Sequence, residues 1–125
     1  MRRLLLWGPP ILYMFAIFNL SSQSDPLPEL TSRVWDKWLH LIEYGALAVL
    51  FCRAFVGEGL SRRHALAIAF VATSVYGLTD EWHQMDVPGR MASLLDWLAD
   101  TIGAMIGVIV YAIVRLKPDT TYASR

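Results

Sequence analysis

Apolar residues along the chain gather into four blocks, and nearly all charges fall between them. The blocks read LLLWGPPILYMFAIFNL over residues 4–20, WLHLIEYGALAVLFCRAFV over 38–56, HALAIAFVATSVYGLT over 64–79 and LLDWLADTIGAMIGVIVYAIV over 94–114. A helix needs about 20 residues to cross the hydrocarbon core of a bilayer. Each block reaches that length once its flanking turns are added. The third, started at Ser61 and ended near His83, covers about 34 Å at 1.5 Å per residue. Helices of a soluble bundle carry a polar stripe at a 3.6-residue period, and blocks one and three show almost none. The pattern predicts an all-α membrane bundle of four transmembrane helices, over about 4–20, 38–56, 61–83 and 93–114, in a single domain.

Arg2 and Arg3 ahead of an apolar run look like the start of a signal peptide. Pro9 and Pro10 interrupt the run, however, and no clear Ala-x-Ala site follows, so block one is expected to stay as an uncleaved helix. Its start is expected around the two prolines, because proline is tolerated in a first turn and not deeper. Basic residues set the orientation. Arg2, Arg3, Arg53, Arg62, Arg63, Arg115, Lys117 and Arg125 flank one side of the blocks, and only Arg33, Lys37 and Arg90 flank the other. The positive-inside rule then expects a multi-pass protein of the cytoplasmic membrane with both termini cytoplasmic. Arg53 would snorkel toward that side, and DEWHQMDVPGR would lie on the outer surface.

Composition agrees with this reading and removes some partners. Of 125 residues, 55% are apolar and 18% charged, against roughly 25% charged in soluble domains; mean hydropathy is +0.40. Net charge is zero, so no concentrated basic face exists for phosphates and a nucleic-acid partner is not expected. The single cysteine, Cys52, lies inside an apolar block and reads as a small buried hydrophobe.

Polar chemistry collects at the outer ends of blocks two, three and four. Asp36, Lys37, His40, Glu43 and Tyr44 stand at helical spacing and share one face. An ionisable group in a spanning helix costs about 2.5–3.5 kcal/mol at mid-depth, so these should face the bundle interior or water. Interfacial polarity also accounts for Asp36 and Lys37 in water, with Trp35 and Trp38 as belt aromatics. For His40 and Glu43, one to two turns in, a functional role is the better account. Asp80 and Gln84 share a face, flanked by Glu81 and His83; a solvated helix end explains the same residues. A His–carboxylate set can bind a divalent metal, but the spacing matches no strict signature such as H-E-x-x-H, and neither metal nor cofactor is specified. Val87-Pro88-Gly89 reads as a turn with glycine at a positive-φ position, aiming Arg90 either at a carboxylate or phosphate or at headgroup level as an anchor.

In block four, Ser93 and Asp96 form a capping-box-like start. Asp100 lies one turn deeper, outside that explanation. Asp96, Asp100, Gly103 and Gly107 fall on one stripe, and G-x-x-x-G permits close contact with a helix of this chain or of a partner, including a second copy. Together the three helix tips suggest a polar pocket open to the outside, with His40 and Arg90 as its counter-charges.

SSQS after block one, DKWLHLIEYGALAVL, YGLTDEWHQMDVPGR and SLLDWLADTIGAMIG occur in the order seen in VanZ-like proteins. The chain resembles that family over about residues 15–110. The resemblance implies a small integral membrane protein, in a family whose founding member is linked to low-level teicoplanin resistance. By match, the family's motif positions are Asp36, Lys37, His40 and Tyr44, then Asp80, Glu81, Gln84, Pro88, Gly89 and Arg90, then Asp96. Asp100 departs from it: the family commonly has asparagine there.

These readings support a membrane protein whose outer pocket binds an amphiphile, such as a lipoglycopeptide-like drug or a lipid-linked envelope precursor. A membrane hydrolase or transferase on envelope lipids is the alternative, with His40 as base or metal ligand beside Asp80 and Glu81. A purely structural polar cluster is a third. A transporter is not expected, since four helices with one outward cluster give no inverted pair of broken helices.

Overall fold

The computed structural model describes residues 1–23 and 33–116, with side chains for 1–23 and 36–114. Ser24, Lys117 and Arg125, and the side chains of Arg33, Trp35 and Arg115, lie outside the described residues. Four helices follow one another: α1 Arg2–Ser21, α2 Arg33–Gly57, α3 Arg62–Gln84 and α4 Leu94–Leu116. Among the described residues, three stretches are long and apolar enough to cross a membrane, Arg2–Ser21, Asp36–Gly57 and Leu94–Val114. α3 matches them in length with 23 residues. It falls short in hydropathy because its inner face is small or polar and its ends carry Arg62, Arg63, Asp80 and Glu81.

The helices show inverted polarity. α3 buries Ala65, Ala69, Thr73, Gly77, Asp80, Glu81 and Gln84 and exposes Ile68, Val71, Val75, Leu78 and Trp82. α4 likewise exposes Leu95, Ile102, Ile109 and Ile113 and buries Asp96 and Asp100. In water this would leave apolar surface uncovered and acids desolvated at a cost; in lipid the outer face is solvated and only the inner face must pair its polar groups.

α2 and α4 run parallel in the closest contact of the bundle. A Cβ on Gly103 would meet the carbonyl of Leu41, and one on Gly107 the carbonyl of Gly45, both nearer than real Cβ atoms come. A Cβ on Gly45 would lie 3.1 Å from the carbonyl oxygen of Gly103. The small-residue stripe foreseen from the sequence therefore lies against α2 of the same chain. α3 joins this pair through Trp97 Nε1, which donates to Ser74 O at 3.0 Å, and through the Ser74 and Thr101 hydroxyls 2.8 Å apart.

α1 departs from expectation. It starts at Arg2, so Pro9 and Pro10 lie inside it rather than in its first turn. Pro9 has no N–H to give to the carbonyl four residues back, that of Leu5. Arg53 of α2 donates to this carbonyl through Nη1 at 3.0 Å, so the orphaned acceptor is satisfied from the neighbouring helix. The same end is tied by Trp7 Nε1 donating to Glu58 at 3.0 Å and by the Arg3–Glu58 ion pair at 3.5 Å. At its far end α1 rejoins α3, where Tyr76 donates to Met14 O at 2.6 Å.

Replacing Gly107 with alanine should lower stability by about 1–3 kcal/mol, because the added methyl must push α4 off the α2 backbone. Gly8→Ala, where nothing lies within 4 Å of the new Cβ, should be neutral or slightly stabilising. Thermal unfolding of the two purified variants in one detergent checks the contrast.

Candidate functional site

Because α2 and α4 are parallel and in backbone contact, the side chains near their N-terminal ends pair at nearly constant offset. Lys37 forms an ion pair with Asp96, and one turn further in His40 Nδ1 lies 2.7 Å from Asp100 Oδ1. Nε2 of His40 is 3.9 Å from Asp36 Oδ1. Asp100 is fully buried. A Cβ on Gly77 of α3 would sit 2.9 Å from Asp100 Oδ2 and 3.2 Å from Tyr44 Cε1, so only a residue without a side chain lets α3 close over this pair.

Glu81 of α3 reaches the start of α4, where its Oε2 accepts from the backbone N–H of Ser93 at 2.9 Å. This corrects the capping-box reading. The acid that meets the Ser93 N–H comes from α3, while Asp96 turns to Lys37. Among the described residues, the buried Glu81 Oε1, Asp100 Oδ2 and Tyr44 hydroxyl find no hydrogen-bond partner.

Asp80 faces the other way, toward α1. Ser21 Oγ donates to Asp80 Oδ1 at 2.5 Å, and Gln84 Nε2 donates to Ser21 Oγ at 3.1 Å and to Asp80 Oδ2 at 3.3 Å. This closed triangle is buried. Next to it lies a cavity of about 270 Å³ between α1, α2 and α3, lined by Tyr13, Ile17 and Ser21, by Asp36, His40 and Glu43, and by Asp80, Gln84 and Arg90, among others.

Two of the expected pocket residues take other partners, Arg90 while still lining the cavity and His83 by leaving it. Arg90 is not matched to a carboxylate by any hydrogen bond among the described residues. Its Nε donates to Gln23 O at 3.0 Å and its Nη2 to Leu20 O at 3.5 Å, so it caps the carbonyl end of α1, where a cation also suits the helix dipole. The turn ahead of it takes the expected form: Gly89 has φ 81° and Arg90 N–H reaches Val87 O at 3.1 Å, with Pro88 exposed at its corner. His83 leaves the cavity. Its ring stacks on Phe18 at 4.3 Å and its Nε2 meets Ser22 Oγ at 2.9 Å.

The expected cluster is thus divided. Lys37, Tyr44, Glu81, Asp96 and Asp100 gather between α2, α3 and α4, whereas Asp80, Gln84, Glu43 and Arg90 face the cavity under α1; Asp36 and His40 border both. The contribution of α1, above all Ser21 and Tyr13, was missed from the sequence. SSQS was the available signal, quoted for its family resemblance and left without a partner. Among the described residues, two groups bring three potential metal donors within 4.8 Å of one another, Asp36–His40–Asp96 and His40–Glu81–Asp100. Neither includes Asp80 or His83, the residues that adjacency in sequence put forward.

A double-mutant cycle on His40→Ala and Asp100→Ala should return a coupling of ~1–3 kcal/mol in unfolding free energy, as expected for a buried pair in direct contact. Additive losses would mean that the two side chains do not meet.

No curated protein and no solved structure matches the chain significantly. The family comparison is positive: the VanZ/LLP1 family model matches residues 7–115, a stretch that includes most or all of each helix and every polar residue of the cavity and the acid cluster, and the chain accordingly belongs to the VanZ/LLP1 family of membrane proteins.

Proposed function

We propose that the chain is a multi-pass protein of the cytoplasmic membrane that binds an amphiphile in the α1–α2–α3 cavity. All four helices span in this reading, α3 by placing its polar groups inward. Both termini are cytoplasmic, in keeping with the arginines at that end, Arg2, Arg3, Arg53, Arg62 and Arg63. The cavity then opens at headgroup depth on the outer side.

The observation that carries the reading is the mixed lining of that cavity. Glu43, Asp36 and Arg90 offer charge to a polar head, while Ile17, Leu20, Leu39 and Ile42 offer apolar contact to a tail. A ligand with both parts, a lipid-linked envelope precursor or a lipoglycopeptide such as teicoplanin, fits this division. Family membership supports the link to glycopeptide resistance.

One feature favours a second reading, a hydrolase or transferase acting on envelope lipids. His40 borders the cavity while Asp100 holds its Nδ1, and an imidazole so oriented can serve as a general base through Nε2. Turnover of a candidate lipid by the purified protein would favour this reading over simple binding.

Expression in a susceptible host should reduce teicoplanin susceptibility. His40→Ala, Glu43→Ala and Arg90→Ala, all in the cavity wall, should each restore it toward the level of the host alone, at matched protein levels in the membrane. If every variant protects as the parent does, the cavity is not what acts.

A further inference from the structure

The acids at the outer end of the bundle are not equally provided for. Asp96 has the Lys37 ammonium. Asp80 has Ser21 and Gln84. Glu81 and Asp100 share a different situation: each is buried, 5% and 0% exposed, and each keeps one carboxylate oxygen, Oε1 and Oδ2, with no hydrogen-bond partner. The cationic side chain available beside Asp100 is His40, whose Nδ1 already meets Asp100 Oδ1. Two buried carboxylates beside one imidazole leave net negative charge, and among the described residues the His40–Asp100 contact is the ion pair that either acid makes. Buried charge of this kind is costly unless it is paired or coordinates a metal.

We propose that His40, Glu81 and Asp100 bind one divalent first-row transition ion, of the zinc type, where α2, α3 and α4 meet. Three features argue for it. The donor atoms of these residues already lie within 4.8 Å of one another, and ions of this class hold nitrogen and oxygen ligands at about 2.0–2.2 Å, so small side-chain movements close the site. A divalent charge neutralises two carboxylates with a neutral imidazole. The donor mix of one imidazole with carboxylates suits such ions better than the all-oxygen sets of calcium or magnesium.

The competing group, Asp36–His40–Asp96, is disfavoured because the Lys37 ammonium already occupies Asp96. The unmet oxygens belong to the other set. His40 also borders the cavity, which gives an ion a polar route to the site. The site does not rest on the amphiphile reading: the cavity draws its wall from α1, α2 and α3, whereas the acids of the metal set come from α3 and α4.

The full chain, purified in detergent and stripped with EDTA, can be titrated with Zn²⁺ and with Co²⁺ as a spectroscopic probe. The expected result is one ion per chain by elemental analysis, ligand-field absorption from Co²⁺, and a metal-dependent rise in the thermal midpoint. Glu81→Gln and Asp100→Asn, which keep shape and remove charge, should each weaken binding by more than about tenfold, while Asp86→Asn at the exposed rim leaves it unchanged. Absence of binding by the parent chain overturns the proposal, and so does a preference for Mg²⁺ or Ca²⁺. Loss of binding in Asp96→Asn with full binding in Asp100→Asn would assign the ion to the other group and overturn it equally. A chain that binds no metal yet still alters teicoplanin susceptibility removes the metal site and leaves the amphiphile reading standing.

Discussion

α4 can lie on α2 only because Gly103 and Gly107 present no side chain to the carbonyls of Leu41 and Gly45. That contact fixes the rotation and depth of α4 together. Asp100 stands three residues before Gly103, on the same stripe, and is carried to His40; Asp96 is carried to Lys37. A rotation of α4 by one residue would turn both aspartates toward the flank that now exposes Leu95, Ile102 and Ile109. The cost of an acid in hydrocarbon, about 2.5–3.5 kcal/mol at mid-depth, therefore acts with the glycine contact to hold one register. Gly77 repeats the device on α3, where its missing side chain leaves room for Asp100 and Tyr44.

α1 is held by different means. Its ends are fastened through backbone carbonyls and short polar side chains, by Arg53 on Leu5 O at one end and Arg90 on Leu20 O and Gln23 O at the other. Arg53 meets a carbonyl that α1 leaves without a helical donor because of Pro9, and Arg90 adds a side-chain donor at the end of α1, where Leu20 O also accepts from the Gln23 N–H. The proline pair, read from the sequence as a helix start, is thus an interior feature, and the hydrogen bond that Pro9 withholds from Leu5 O is supplied by α2. Between its fastened ends α1 leaves the space that becomes the cavity, with Tyr13, Ile17 and Ser21 on its wall.

The helices were legible in the sequence because hydropathy and length are local properties, and the α4 stripe was legible because four residues at helical spacing define a face without reference to any partner. What each face would meet was not. Asp80 and Glu81 are neighbours in sequence, yet one turns to Ser21 and the other to Ser93, since adjacent helical positions point about 100° apart and α3 has a helix on either side. Arg90 was read as meeting a carboxylate or phosphate, or as a headgroup-level anchor, because arginine's usual partners carry a visible charge. Its actual partners are backbone carbonyls, which leave no mark in a sequence. Ser21 was overlooked for a related reason: a lone serine at a helix end gains meaning only when an acid from another helix arrives beside it.

His40 joins the two halves of this arrangement. Through Nδ1 it belongs to the acids of α3 and α4; as a wall of the cavity it belongs to the space under α1. Any occupant of the cavity that approaches the imidazole must contend with a ring already oriented by Asp100, and anything that changes the charge around Asp100 and Glu81 changes the field at that wall. Lys37 and Asp96 cannot play this part, because they satisfy each other nearer the bundle end. Asp80 lines the cavity too, but its carboxylate meets Ser21 and Gln84 rather than an α4 residue. His40 is thus the cavity residue hydrogen-bonded to an α4 acid among the described residues, and the glycine-to-backbone contact of α4 with α2 holds Asp100 beside it.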